Sequence, residues 1–295
     1  MSRISYLLVV LLLGLVGCAA AEPSATNNST TTTTFRSASD DAAVAQRSGE
    51  TAERTFVFDG DSLDATLADG SAVEIRLLGI NAPEGDECFG DQARSALDSL
   101  LGTSTLTLVA DDEDTDQFGR LLRYVFADGV NVNLTMLAEG YALAVQTGHG
   151  DEAEFVAASD AAAAGGLGMW SADACGAAPA GSELTIADYV FDPRGRDADD
   201  PNGEWVAIAN TAATPVDMTG WTLRDESTQN RYTFPAGFTL SGGADVQVHS
   251  GCGTDTAADL YWCAANPVWS NGGDTIILQH PSGAVAANER YAGSY

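Results

Sequence analysis

The chain contains no lysine. Its 13 basic residues are all arginine and face 42 acids, for a formal net charge of −29 over 295 residues. An excess of this size disfavours DNA, RNA and anionic membranes at low salt. It suits a protein kept soluble in concentrated salt, as in a halophilic or marine setting, where screening acts within about 3 Å at 1 M. A merely acidic secreted protein is the plainer alternative. Marks of disorder are lacking as well: Gly and Pro number 31 and 9, and 45% of residues are hydrophobic, enough for real cores. No CxxC or close pair of histidines supports a zinc site, and no internal repeat is evident. At this length two domains are expected.

Any comfortable membrane span is also missing from the start of the chain. After Arg3, the apolar run Tyr6 to Val16 is too short for one and reads as an export signal. It ends in Leu15-Val16-Gly17-Cys18 and resembles a lipobox, which predicts a lipoprotein signal peptide over 1–18 with lipid on Cys18. An ordinary signal peptide with an incidental Cys is the alternative. The expected location is extracellular, lipid-anchored at the cell membrane, although one lipid group attaches only modestly. Residues 19–50, rich in Ser, Thr, Ala and Asn, read as a disordered tether. Asn28-Ser29-Thr30 and Asn133-Leu134-Thr135 fit the glycosylation acceptor pattern, a weak signal.

Apart from Cys18, four cysteines remain: Cys88, Cys175, Cys252 and Cys263. An even number outside the cell favours disulfides, and four permit three pairings. The spacing suggests Cys88–Cys175 and Cys252–Cys263.

From Thr51 short β-rich runs begin at Arg54, Leu63, Ala72, Thr103 and Leu121, with Asp69-Gly70 marking a tight hairpin. Helical patterns fall at Asp91 to Leu101, Asn133 to Gly140 and Asp151 to Ala164. Five strands with a helix after the third predict an OB-type five-stranded barrel with helices over 51–175. A Gly/Ala/Pro linker over 176–183 follows. Residues 184–295 hold only short strands and turns, which predicts a β-sandwich. The expected class is therefore all-β dominated in two domains, the first α+β in detail.

Three segments of the barrel carry chemistry. In Asp59-Gly60-Asp61 the glycine is expected to turn the backbone so that two carboxylates converge. Arg76 lies on a strand followed by Asn81-Ala82-Pro83-Glu84, and Asp116 to Arg120 form a turn with a second arginine. Phosphodiester hydrolysis needs such parts: oxygen donors for a hard cation, guanidinium groups on phosphate oxygens and a carboxylate that handles the attacking water. Taken singly, an Asp-Gly-Asp is ordinarily a turn, and a strand arginine is ordinarily a surface ion pair.

Taken in order, the set resembles the thermonuclease, or staphylococcal-nuclease-like, family. The resemblance covers Asp59-Gly60-Asp61, Arg76 to Glu84, Phe118-Gly119-Arg120, Val132-Asn133 and Gly168-Met169-Trp170. It implies a calcium-dependent (or other hard divalent cation) endonuclease acting on DNA and/or RNA. The implied metal ligands are Asp61, Asn81 and the carbonyl of Ala82, with Asp59 and Asp116 as supporting acids. Arg76 and Arg120 would clamp phosphate and Glu84 would serve as general base. The chain departs from the pattern at Asn81, where the family usually has a carboxylate. It also lacks the family's substrate-flanking lysines, and Gln146 stands where a tyrosine is common.

The second half resembles the lamin-tail family, through Glu204-Trp205-Val206, Gly220 to Asp225, Tyr232 to Pro235 and Trp269 to Asp274. That resemblance implies an immunoglobulin-like sandwich. Trp205 and Trp221 read as core or edge-packing residues. His249 and His280 lack ligand partners and read as structural or exposed. The partner of this domain is unknown. Set against the nuclease are a non-catalytic nucleic-acid-binding surface lipoprotein, which has the barrel without efficient metal binding, and a surface adhesion protein.

Overall fold

The computed structural model describes residues 49–176, 183–227 and 229–293. Cys18, the export signal, nearly all of the tether and Asn28 lie outside them.

Strands β1 (Glu50–Val57), β2 (Ser62–Leu67) and β3 (Ala72–Leu77) form a meander, followed by the short β4 (Ile80–Asn81). Helix α1 (Gly90–Leu101) buries Ala93, Leu97 and Leu101, a four-residue spacing that presents one apolar face. Next come β5 (Leu106–Val109), β6 (Leu121–Ala127), β7 (Val130–Asn131), α2 (Val132–Ala138), β8 (Leu143–Ala144) and α3 (Glu152–Gly165). β1 pairs antiparallel with β2 and β5, β2 with β3, and β5 with β6. A parallel pairing of β3 with β6, Ile75 opposite Leu121 and Arg76 opposite Leu122, closes the five-stranded barrel. Along β3 the alternation buries Ile75 and Leu77 and turns Glu74 and Arg76 outward. Residue period alone thus delivers Arg76 to the outer face.

Asn133 is fully buried at the start of α2. Its amide oxygen accepts from Val125 N–H at 2.9 Å, and its nitrogen donates to the carbonyls of Leu78 and Arg123 at 2.9 and 3.1 Å. It ties three elements together and cannot carry a glycan, contrary to the acceptor pattern around it.

The second domain is a sandwich. One sheet joins β9 (Leu184–Val190), β10 (Trp205–Asn210), β15 (Asp245–His249) and β16 (Asp259–Tyr261). The other joins β12 (Thr222–Arg224), β13 (Arg231–Thr233), β17 (Gly273–Gln279) and β18 (Val285–Ala292). A small ribbon pairs β11 (Val216–Asp217) with β14 (Thr239–Leu240). Between the sheets lie Val206, Ile208, Trp221, Leu223, Phe234, Val248, Trp269 and Leu278. Trp221 is a core residue and Trp205 is half-buried on β10. His249 stacks on Tyr261 and bonds Asp259 at 3.2 Å, while His280 lies edge-on to Trp221, so both serve the fold.

The domains are joined by more than the linker. Leu143 and Met169 of the first pack on Ile277 of the second, flanked by Phe89, Trp170 and Val285. Arg231 pairs with Glu87, and Arg290 with Asp160 at 3.1 Å. Cys88 is bonded to Cys175 and Cys252 to Cys263, with Cα separations of 5.6 and 4.1 Å.

Candidate active site

The outward end of β3, the β1–β2 turn and the loop before β6 enclose a cleft of 510 Å³ on the barrel. Asp59, Asp61, Arg76, Asn81, Glu84, Asp116 and Arg120, separated by up to 61 positions in sequence, all line it.

Gly60 is needed there for a reason other than turning. A Cβ at this position would come within 2.6 Å of Ala82 and 2.7 Å of Ala93, so the turn sits flush against the Ala82 segment and α1. Its φ is not in the left-handed region, which corrects the expectation that backbone freedom selects the glycine. Asp59 closes the turn by accepting the Asp61 N–H at 2.9 Å. Asp61 is buried. One of its carboxylate oxygens accepts from Ala82 N–H at 2.6 Å and faces Arg76 at 3.0 Å, and the other accepts from the Ser62 hydroxyl at 2.9 Å. Burial, reinforced by Asp59, pushes the Asp61 carboxyl up to about 7 against the pull of Arg76 and the two hydrogen bonds.

Arg76 is held on four sides. Its Nη1 donates to the carbonyls of Leu77 and Ile80 at 3.0 and 2.7 Å, and its Nη2 reaches Asp61 and, at 3.2 Å, Asn81 Oδ1. Arg120 is oriented by Asp116, with Nε to Oδ2 at 2.6 Å, and its Nη1 reaches Ser62 at 3.4 Å. Asp116 also accepts from the N–H groups of Phe118 and Arg120 at 2.9 and 3.0 Å. Burial nudges its carboxyl up, but these donors outweigh that and hold it below the usual range. Asp116 therefore organises the Arg120 turn. Ser62, which sequence reasoning passed over, links Asp61 to Arg120; its only signal is its place directly after the Asp-Gly-Asp turn. Phe118 stands 70% exposed beside the cleft, with the Arg120 guanidinium 5.6 Å from its ring centre.

Glu84 is fixed through its backbone. Its carbonyl accepts from Glu87 N–H at 2.9 Å, and it lies so close to Gly90 that any Cβ there would fall 1.9 Å away. Its carboxyl is raised by partial burial and by Asp59 and Glu87, with Arg76 opposing. This is the direction that makes a carboxylate a better proton acceptor.

The cleft offers oxygen donors only, and Asp61 is a buried acid whose ionised form a cation would favour, so these residues fit a hard divalent ion. Among the described residues no three His, Cys, Asp or Glu side chains converge closely enough to hold a metal. Amide and main-chain oxygens, those of Asn81 and Ala82, would therefore have to complete such a shell.

Gln146 does not face the cleft. Its N–H donates to Glu226 Oε1 at 2.7 Å and its side chain to the Tyr291 carbonyl at 3.3 Å, both in the second domain. Asn81 also reaches that domain, donating from Nδ2 to the Glu226 carbonyl at 2.6 Å.

A barrel of this topology with two arginines, paired acids and a glutamate on one cleft defines a staphylococcal-nuclease-like domain, here followed by an immunoglobulin-like one. Family comparison agrees: residues 74–172 match the staphylococcal nuclease homologue model and 177–293 the lamin tail domain model. Protein ParB of Escherichia coli is 32% identical over 139 residues, covering 44% of this chain and 75% of that protein. A micrococcal nuclease of Shigella flexneri is 30% identical over 125 residues, covering 39% and 70% respectively. An uncharacterized endonuclease of Haemophilus influenzae is 26% identical over 129 residues, covering 44% and 71%. The chain belongs to the staphylococcal nuclease homologue family and carries a lamin tail domain behind the nuclease-like one.

Proposed function

We propose that this protein is an exported, lipid-anchored nuclease that hydrolyses phosphodiester bonds of DNA or RNA with the help of calcium or a similar divalent ion. The observation that carries the reading is the meeting of Arg76, Glu84 and Arg120 with Asp61 and Asn81 on one cleft.

In this reading Arg76 and Arg120 hold the non-bridging oxygens of the scissile phosphate and offset the charge that builds on them. Glu84 takes a proton from the water whose oxygen attacks phosphorus, the P–O ester bond breaks, and the departing oxygen is protonated. Asp61, Asn81 and the Ala82 carbonyl would hold the ion, which when bound supplies positive charge to the phosphate. Asp59 supports Asp61 through the turn. The lipid on Cys18 and the tether would keep the domain at the outer membrane face, where the charge of −29 is screened by salt.

The test is cleavage of single- and double-stranded DNA and of RNA by the full chain, with calcium titrated at low and high salt. Metal-dependent cleavage, lost in Arg76→Ala and Glu84→Ala, is the expected result. Metal-independent binding without cleavage would instead mark a non-catalytic nucleic-acid-binding lipoprotein.

A further inference from the structure

The second domain enters the candidate site through the loop between β12 and β13. Glu226, at the head of this loop, is buried, and its carbonyl accepts the Asn81 side-chain N–H at 2.6 Å. Three residues further on, Gln229 lines the cleft itself. The carboxylate of Glu226 is anchored separately: it accepts Gln146 N–H at 2.7 Å and the Thr275 hydroxyl at 3.1 Å, and Arg290 lies 3.8 Å away.

The chemistry of residue 81 follows from its two neighbours. On one side is a carbonyl, which can only accept, and on the other is the guanidinium of Arg76, which can only donate. Asparagine satisfies both in one orientation, nitrogen to the carbonyl and oxygen to the guanidinium. Aspartate, ionised, would leave the carbonyl facing a like partial charge. With the amide so oriented, its oxygen is held toward the cleft.

We propose that Glu226 of the lamin tail domain is a positioning residue of the nuclease site: it holds the Asn81 amide with its oxygen presented to Arg76 and to the cation position. The inference rests on the nuclease reading for its consequence but not for its geometry. Asn81 meets Glu226 through its side chain, whereas Gln146 meets it through its backbone N–H, so only the departure at residue 81 is tied to Glu226 by side-chain chemistry.

The test uses the full chain and the variants Glu226→Ala and Glu226→Gln. Glutamine keeps an acceptor for the Gln146 N–H and can donate its NH₂ to the Thr275 hydroxyl, whereas alanine frees the loop. In the alanine variant the Asn81 side-chain NH₂ resonances should move to free-amide positions with faster hydrogen exchange. Calcium affinity by calorimetry should weaken about tenfold, the scale of outer-shell support, and kcat should fall with KM for nucleic acid unchanged. Glu226→Gln should restore all three. Thr275→Val, a milder loosening of the same anchor, should shift them in the same direction if Glu226→Ala does not fold. Wild-type NH₂ resonances and calcium affinity in folded Glu226→Ala or Thr275→Val, with only a lowered Tm, would overturn the proposal. A wild-type chain without cleavage or calcium binding sinks the nuclease reading instead, while the NH₂ resonances still decide whether Glu226 sets the amide.

Discussion

The barrel and the sandwich bury charge to different extents. Among the described residues the barrel domain buries one acid and one arginine, Asp61 and Arg123, and each has an opposite charge within 3.0 Å. The sandwich buries Glu204, Asp225, Glu226 and Asp274 against a single buried base among the described residues, Arg224, and of these acids Glu226 bonds across the domain contact. Arg224 itself bonds an amide and a carbonyl, at 3.0 and 3.2 Å. Burying a charge is costly, and burial raises the carboxyls of Glu204, Glu226 and Asp274. Glu226 is pushed up to about 7 and Asp274 to about 8, in both cases mainly by burial. Asp61 is raised by burial in the same way, but it has Arg76 at 3.0 Å, whereas Arg290 stands 3.8 Å from Glu226.

The comparison can be broken at several scales. The largest effect is expected at the disulfides. Chain entropy grows with the loop closed, so losing Cys88–Cys175, 87 residues apart, should cost about 4–5 kcal/mol. Losing Cys252–Cys263, 11 apart, should cost about 3 kcal/mol. Denaturant unfolding of the paired serine variants checks the order, and an equal loss would show that loop length is not what matters. Next is catalysis. Arg76→Ala or Glu84→Gln should lower the cleavage rate about 10²–10³-fold with a well-folded chain by circular dichroism, while Arg224→Ala should affect stability far more than rate.

Smaller again is a dependence on pH. The native state keeps the Asp274 proton until about 8, whereas an unfolded chain releases it near 3.8. This contribution is therefore complete below about 4 and is lost as pH rises toward 8. Asp274→Asn should flatten the fall of Tm between pH 5 and 8 by the equivalent of about 1–3 kcal/mol, whatever its effect on the baseline; a slope unchanged by the substitution would count against the buried-acid account. The smallest effect belongs to Arg290 and Asp160 at the edge of the domain contact. Asp160 is well exposed, and Asp160→Ala should change stability by no more than about 1 kcal/mol, with the change shrinking in salt.

Much of this architecture was legible in the sequence because it is local. Alternation along β2 and β3, the aromatic and branched run of β6 and the four-residue spacing of Ala93, Leu97 and Leu101 read directly as strands and a helix. The site segments were legible for the same reason: each is a short turn or strand end with its acids and arginines adjacent. β18 carries little local signal, because Val-Ala-Ala-Asn-Glu-Arg-Tyr-Ala has little intrinsic strand preference and is held by its pairing with β17. Gly60 was recognised as special for the wrong reason, since close approach by Ala82 and Ala93 cannot be seen in a turn motif. The bond from Asn81 to Glu226 spans 145 positions and ends on a carbonyl, a group every residue has, so no pattern marks it.

The apolar seam of Leu143, Met169 and Ile277 has a bearing on how the molecule can be divided. A chain stopped after Cys175 would keep every residue of the cleft except Gln229, yet it would expose Leu143, Met169 and Phe89 to water and leave the Asn81 amide held by Arg76 without its carbonyl partner. Such a fragment would be a chemically different, stickier molecule rather than a smaller copy of the same one. The modular appearance of the sequence, one family laid end to end with another, conceals an apolar seam and a hydrogen bond that join the two.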